Sequence, residues 1–236
     1  MRTPRKPPRQ LPLELPPKDS RTRGDFLAAP SNALALASIE GWQDWPGAGM
    51  LLIGPEGAGK SHLARLWADL SGAALLGAAD LAGLDPGVPP DRPLAVEDAA
   101  LIAGDATGEE ALFHLYNAMA AGPHKLLLTA RQPVRDWGLT LPDLVSRLAT
   151  LPVTAIAPPD EALLAAVLVK LFDDRQIPVS PRIIDYLVAR MERSLAMAQR
   201  LVAEIDRHAL SEKRPVGLGM AREALKALDN RGGADA

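Results

Sequence analysis

The sequence predicts an α/β fold, a parallel sheet covered by helices on both faces, followed by a small all-helical unit. Three observations carry this prediction. Short apolar runs of strand type alternate with helical patterns as far as Pro158, the alternation stops at Pro158-Pro159, and only helical periodicity follows.

Residues 1–22 hold six Lys/Arg against two acids and contain Pro4, Pro7, Pro8, Pro12, Pro16 and Pro17. Such a segment buries too little apolar area to offset its ordering entropy, so an extended, mobile basic tail is expected. Residues 23–158 form the α/β unit. Met50-Leu51-Leu52-Ile53 predicts a buried strand, and Lys60–Leu70 the helix after it. Ala74-Leu75-Leu76 and Leu94-Ala95-Val96 predict two further strands, Glu109–Ala121 a helix, Lys125–Thr129 a strand and Leu151–Ile156 the last one. Residues 159–231 form the helical unit. Leu163, Leu164, Val167, Leu168, Leu171 and Phe172 fall on one helical face. Ser180-Pro181 reads as an N-cap with proline at the first helical position, ahead of Ile183, Ile184, Leu187 and Val188. Leu195, Leu201, Val202 and Ile205 mark a third helix, and Met220–Leu228 a short fourth.

Composition excludes several classes. A chain of 236 residues needs no covalent staples to fold, and its core must be built from Ala, Leu and Val because aromatics make up only 4%. The absence of Cys rules out a disulfide scaffold, a thiolate zinc site and a Cys nucleophile. No apolar run is long enough to span a membrane, and the N-terminus lacks the apolar stretch of a secretory signal, so a soluble cytoplasmic protein without a membrane partner is expected. The net charge of −3 conceals an asymmetry: residues 23–158 carry eight Lys/Arg against fifteen acids, whereas residues 159–236 carry twelve of each. An acidic middle repels a phosphate backbone, so any DNA contact should be weak, through the tail, or indirect.

Gly54-Pro55-Glu56-Gly57-Ala58-Gly59-Lys60-Ser61 fits the phosphate-binding pattern G-x-x-x-x-G-K-[ST] and lies between a predicted strand and a predicted helix. Its glycines let successive backbone N–H groups converge on phosphate oxygens at the positive end of a helix. Lys60 is placed for the β- and γ-phosphates and the Ser61 hydroxyl for Mg²⁺. A P-loop needs an acidic partner on a neighbouring strand. Leu94-Ala95-Val96-Glu97-Asp98 supplies one, with Glu97 at the metal-side position and Asp98 at the water-activating position. Arg147, after Leu141-Pro142-Asp143-Leu144-Val145-Ser146, reads either as a surface residue paired with Asp143 or as a finger for a neighbouring γ-phosphate. In the tail, Gln10, Leu11, Leu13 and Leu15 place alternate leucines on one side of an extended chain, suited to a hydrophobic pocket on a partner. His62, His114, His124 and His208 show no metal-ligand spacing.

Taken together, Gly54–Ser61, Leu112-Phe113-His114-Leu115-Tyr116-Asn117, Leu126-Leu127-Leu128-Thr129 and Leu141–Leu148 resemble the AAA+ replication initiator DnaA, and more closely the shortened regulators of the Hda (HdaA) family, from about Gln10 to Asp206. The resemblance implies an AAA+ P-loop base and a helical lid with ADP or ATP and Mg²⁺ between them. Phe26…Asn32 resembles the family's lead-in to the base pocket, and Asn32 and His62 are counted with the nucleotide-binding set. Gln10–Leu15 resembles the peptide that docks on the DNA polymerase sliding clamp, and Arg147 matches the arginine finger acting in trans. The implied function is to promote ATP hydrolysis by DnaA, which inactivates it, with little or no turnover by the chain itself. Self-association into a homodimer stays open. Three positions depart from the family: Glu97, Ala130-Arg131 where the initiator has an acid, and Leu195 or Ala196 where a lid arginine senses the nucleotide, with Arg193 or Arg200 as candidate substitutes.

The alternative is a DnaA-like or helicase-loader-like DNA-binding AAA+ ATPase. An initiator would be expected to carry a helix-turn-helix domain beyond the lid, and the sequence ends soon after the fourth lid helix. A small-molecule kinase would want an Arg-rich substrate pocket, and only Arg131 and Arg135 lie near strand ends.

Overall fold

A computed structural model describes residues 26–212 and 214–232. The proposed docking segment, with Gln10, Leu11, Leu13 and Leu15, lies outside them. Five strands form one sheet: β1 (Gly49–Ile53), β2 (Ala74–Gly77), β3 (Leu94–Glu97), β4 (Leu126–Ala130) and β5 (Val153–Ala155), in the order β2-β3-β4-β1-β5 with every pair parallel. The α/β expectation holds. The central strands are nearly all apolar because a parallel sheet is covered on both faces.

One face is packed by α1 (Ala33–Glu40) and α2 (Lys60–Ser71). Met50, Leu52, Ala95 and Leu127 meet Ile39, Leu63 and Trp67 there, and Trp45 stacks on Trp67 with ring centroids 5.2 Å apart. The other face takes α3 (Ala106–Ala121) and α4 (Pro142–Leu148), with Leu51, Val96, Leu126 and Leu128 against Leu112, Leu115, Met119, Leu144 and Leu148. A third core lies within α5 (Glu161–Asp173), α6 (Pro181–Val188), α7 (Leu195–Glu212) and α8 (Leu218–Gly232), where Leu164, Leu168, Phe172, Leu187, Leu201 and Ile205 are buried together.

Several boundaries differ from expectation. α3 begins at Ala106 because the Asp105 side chain caps the Thr107 N–H at 3.1 Å, a full turn ahead of the apolar pattern. β5 is confined to Val153–Ala155, since Pro152 precedes it and only three residues pair with β1. Pro181 opens α6 as expected, but Ser180 makes no side-chain cap. α1 and α4 have no counterpart among the predicted elements. Among the described residues no helix is long and apolar enough to cross a membrane.

Candidate functional site

β1 lies between β4 and β5, so its C-terminal end opens beside those of β4 and β3. This is where chain crossovers leave a crevice in a parallel sheet. Gly54–Lys60 leaves β1 there, Asp98 follows β3, and Arg131 follows β4. The sequence-predicted Gly54, Pro55, Glu56, Gly57, Ala58, Gly59, Lys60, Ser61, Glu97 and Asp98 are thereby brought to one edge of the sheet.

The loop has the backbone that its glycines allow. Gly57 has φ +71° and Gly59, which precedes α2, has φ +110°, both left-handed values that a side chain resists. Lys60 is buried, and its ammonium donates to Gly54 O at 2.8 Å and Pro55 O at 3.0 Å, using two of its three protons on the loop's own carbonyls. Burial pushes Lys60 below the ordinary lysine value. Asp98, Glu56 and Glu97 hold it up, and the positive charge of Arg131 adds to the lowering.

Asp98 adopts φ +50° and ψ +44°, and its N–H donates to the Thr129 hydroxyl at 3.0 Å. Aspartate tolerates this region better than most residues. The carboxylate is exposed at the sheet edge. Glu97 is partly buried, and its Oε1 has no hydrogen-bond partner among the described residues. An orphaned buried carboxylate oxygen is a costly feature that a cation would relieve. No cluster of three metal-binding side chains exists among the described residues. A single carboxylate and a hydroxyl, Glu97 and Ser61, suit Mg²⁺, which takes few protein ligands and relies on phosphate oxygens and water. The residues present thus fit a nucleotide–Mg²⁺ group at this edge.

Two residues of the expected nucleotide-binding set, Asn32 and His62, lie in and against the 26–32 segment. The Asn32 side chain is buried, accepts from Ala29 N–H at 2.9 Å and donates to Leu27 O at 3.0 Å, so it folds the 26–32 lead-in onto itself. His62 meets Phe26 edge-on, with centroids 5.1 Å apart, and joins that lead-in to the first turn of α2.

The helical unit closes on the loop through the start of α7. Leu195 N–H donates to Gly57 O at 2.8 Å, and a Cβ placed on Gly57 would lie 1.9 Å from the Ser194 hydroxyl. Leu195 also reaches Gly59, where an added Cβ would meet its Cδ1 at 3.3 Å. The face turned to the loop is therefore a serine and a leucine. Arg193 is engaged elsewhere, 2.8 Å from Glu161 at the start of α5, and Arg200 is exposed.

Arg147 stands exposed in the last turn of α4, without a side-chain partner among the described residues. Asp143 is not paired with it. Sequence reasoning missed what fixes this helix. Glu109, 1% exposed, accepts from Leu141 N–H at 2.8 Å, from Thr140 N–H at 2.9 Å, from the Thr140 hydroxyl at 3.1 Å and from Gly104 N–H at 2.9 Å. Burial works to raise its pKa, yet these donors prevail and hold the carboxyl below its ordinary value. At the other end the Thr150 hydroxyl donates to Arg147 O at 2.7 Å and lies 2.8 Å from the Tyr116 hydroxyl.

No protein-family model matches the sequence. Among solved structures, domain III of the Thermotoga maritima replication initiation protein DnaA superposes with a TM-score of 0.78 at 15% identity, covering 89% of this chain and 97% of that one. The chain shares the fold of that domain. AMPPCP-bound DnaA from Aquifex aeolicus gives 0.69 at 15% identity, over 91% of this chain and 70% of that one. A Thermotoga maritima RuvB mutant gives 0.62 at 15% identity, over 84% and 68%. At such identities the likeness speaks for fold. The expected parallel sheet covered by helices, followed by a helical unit, is thereby found.

Proposed function

We propose that the protein is a nucleotide-loaded adaptor that docks on the DNA polymerase sliding clamp and presents Arg147 to the nucleotide of DnaA, promoting hydrolysis there and inactivating the initiator. Residues 23–158 act as the nucleotide-binding base, 159–231 as the lid, and Gln10, Leu11, Leu13 and Leu15 within 1–22 as the clamp peptide. One observation carries the reading: Arg147 is exposed and unpaired on a helix fixed at both ends, so its guanidinium is available outward and at a defined place.

ADP or ATP with Mg²⁺ would supply an anionic bridge between loop and lid. Gly54–Ser61 amides and Lys60 hold its phosphates, Ser61 and Glu97 the cation, and Asp98 orients water. The helical unit turns Ser194 and Leu195 to the loop, and Arg193 is paired with Glu161 instead, which supports retention of nucleotide over turnover. The test pairs two variants. Gln10, Leu13 and Leu15 changed to Ala should lose capture by immobilised clamp while keeping nucleotide. Arg147→Ala should keep clamp and nucleotide yet lose stimulation of DnaA ATPase. Undiminished stimulation would end the finger assignment.

A second reading, a DNA-binding AAA+ ATPase, draws on likeness to a DnaA bound to AMPPCP and single-stranded DNA, with a TM-score of 0.70 at 15% identity over 83% of this chain and 69% of that one. It requires tight single-strand binding and robust intrinsic hydrolysis, both of which the adaptor reading excludes.

A further inference from the structure

We propose that Leu11, Leu13 and Leu15 of the chain's own N-terminal segment seat in an apolar groove at the β2 edge of the sheet, and that this seat withholds them from a partner until it is vacated. The seat stands apart from the clamp reading; its effect on clamp docking rests on that reading.

β2 is the outermost strand and pairs with β3 alone, so one side of its backbone is open. Leu76 of β2, Leu115 of α3 and Leu84, Val88 and Pro90 of the 84–90 connection line a cavity of about 580 Å³. That is ample for apolar side chains of a peptide. The connection holds its shape. The Asp85 carboxylate accepts the Gly87 N–H at 2.8 Å, the Val88 N–H donates to Asp85 O at 3.1 Å, and Pro86, Pro89 and Pro90 fix their own φ angles. A wall already ordered in this way gives up little entropy when it is filled. At its rim Val88 is 65% exposed, an apolar side chain with nothing over it among the described residues.

Pattern, charge and reach name the occupant. Leu11, Leu13 and Leu15 alternate, so in an extended chain they fall on one side about 6–7 Å apart, while the backbone can run along the open edge of β2. Pro12, without an N–H, is tolerated in a strand that adds at an edge. Arg92 is closed on Asp91 by two hydrogen bonds of 3.0 and 3.2 Å, which leaves Asp85, and Glu110 one turn before His114 on α3, as the unbalanced charges of the rim. Residues 1–22 carry six Lys/Arg against two acids, the complementary sign. The described chain begins at Phe26, which packs on His62 at the start of α2, and α2 runs against β2 and β3. The twelve residues of α2 cover about 18 Å, and β2 lies three strand spacings, about 14 Å, from β1. From Leu15 to Phe26 the chain runs eleven residues, at most about 36–40 Å when extended, so the segment reaches the groove.

The experiment exploits a chain without Cys. In the full chain Leu13→Cys is combined with Val88→Cys at the groove or, as the control, with Val169→Cys on α5, where the valine is 51% exposed. Dilute protein is treated with oxidised glutathione, and disulfides are read by mass spectrometry. The Leu13–Val88 combination should close within one chain at least about tenfold faster than the Leu13–Val169 combination. Equal rates, or closure only between separate chains, would overturn the proposal. In a second measurement Val88→Glu should release the segment and strengthen capture by immobilised clamp severalfold, with ADP binding unchanged. Unchanged capture would overturn the withholding. If neither wild type nor Val88→Glu is captured, the clamp reading falls, while the closing rates still decide the seat.

Discussion

Glu109 and Tyr116 stand about two helical turns apart on α3 and hold opposite ends of α4. Glu109 takes the N–H groups of Thr140 and Leu141 at its start. Tyr116, through Thr150, reaches the Arg147 carbonyl at its finish. A helix of seven residues is too short to be stable by itself. Its end groups are satisfied by a longer, well-packed neighbour, so Arg147 inherits the rigidity of α3.

Removing the Glu109 carboxylate should therefore damage both stability and the function assigned to Arg147. Glu109→Ala strands several buried donors and should cost roughly 3 kcal/mol in urea unfolding. Glu109→Gln keeps the shape but turns an amide NH₂ toward donors, so an intermediate loss is expected. Both variants should lose stimulation of DnaA ATPase out of proportion to any loss of nucleotide affinity. Tyr116→Phe should cost about 1 kcal/mol and act in the same direction. Full stimulation by folded Glu109→Gln would separate α4 placement from this carboxylate.

The same residue gives the protein an acid-sensitive step. The folded Glu109 pKa lies below its ordinary 4.5, so the unfolded chain binds the proton first as pH falls. The stabilisation is complete above 4.5 and declines as the pH drops toward the folded pKa. Urea midpoints measured from neutral pH downward should fall more steeply for wild type than for Glu109→Gln. Parallel profiles would contradict the depressed pKa.

The five strands were legible because each is an apolar run bounded by turn residues, and the P-loop because its spacing sits between β1 and α2. α1 escaped because eight residues with Ala33, Ala35 and Ala37 give little contrast between faces. α4 carried a usable signal that went unread: Pro142 at a helix start, with Leu144 and Leu148 one turn apart. Glu109 could not be found, since an acid in a first helical turn normally faces solvent and serves the helix dipole. The Glu56–Arg131 pair links residues that only the β1–β4 register brings together, and nothing local announces it. Likewise, the lid contact at Gly57 depends on packing between helical unit and sheet.

That lid contact makes Gly57 sensitive twice over. Alanine there must accept φ +71°, and its Cβ would approach the Ser194 hydroxyl to 1.9 Å. The backbone strain alone is about 1–2 kcal/mol, and relief of the clash requires the start of α7 to back away from the loop. Gly57→Ala should lower the melting temperature and weaken ADP binding. Adding Ser194→Gly removes the obstructing hydroxyl but leaves the strain, so only partial recovery is expected. Complete recovery would show that the contact, and not the loop conformation, sets the penalty.

Lys60 links the loop's resting structure to its ligand chemistry. Lys60→Met retains the length and apolar packing of the stem but leaves Gly54 O and Pro55 O without their shared donor. Nucleotide affinity should fall by well over tenfold, more than about 1.4 kcal/mol, and calorimetry with ADP measures it directly. Stability responds to pH in the same sense as for Glu109, rising with pH, but in the alkaline range. Because the folded Lys60 pKa lies below the ordinary 10.5, the unfolded chain keeps its proton longer as pH rises. Between the folded value and 10.5, folding is increasingly favoured by this group, so wild type should gain stability relative to Lys60→Met as the solution is made alkaline. A difference that stays flat across that range would mean that burial does not discriminate against the ammonium.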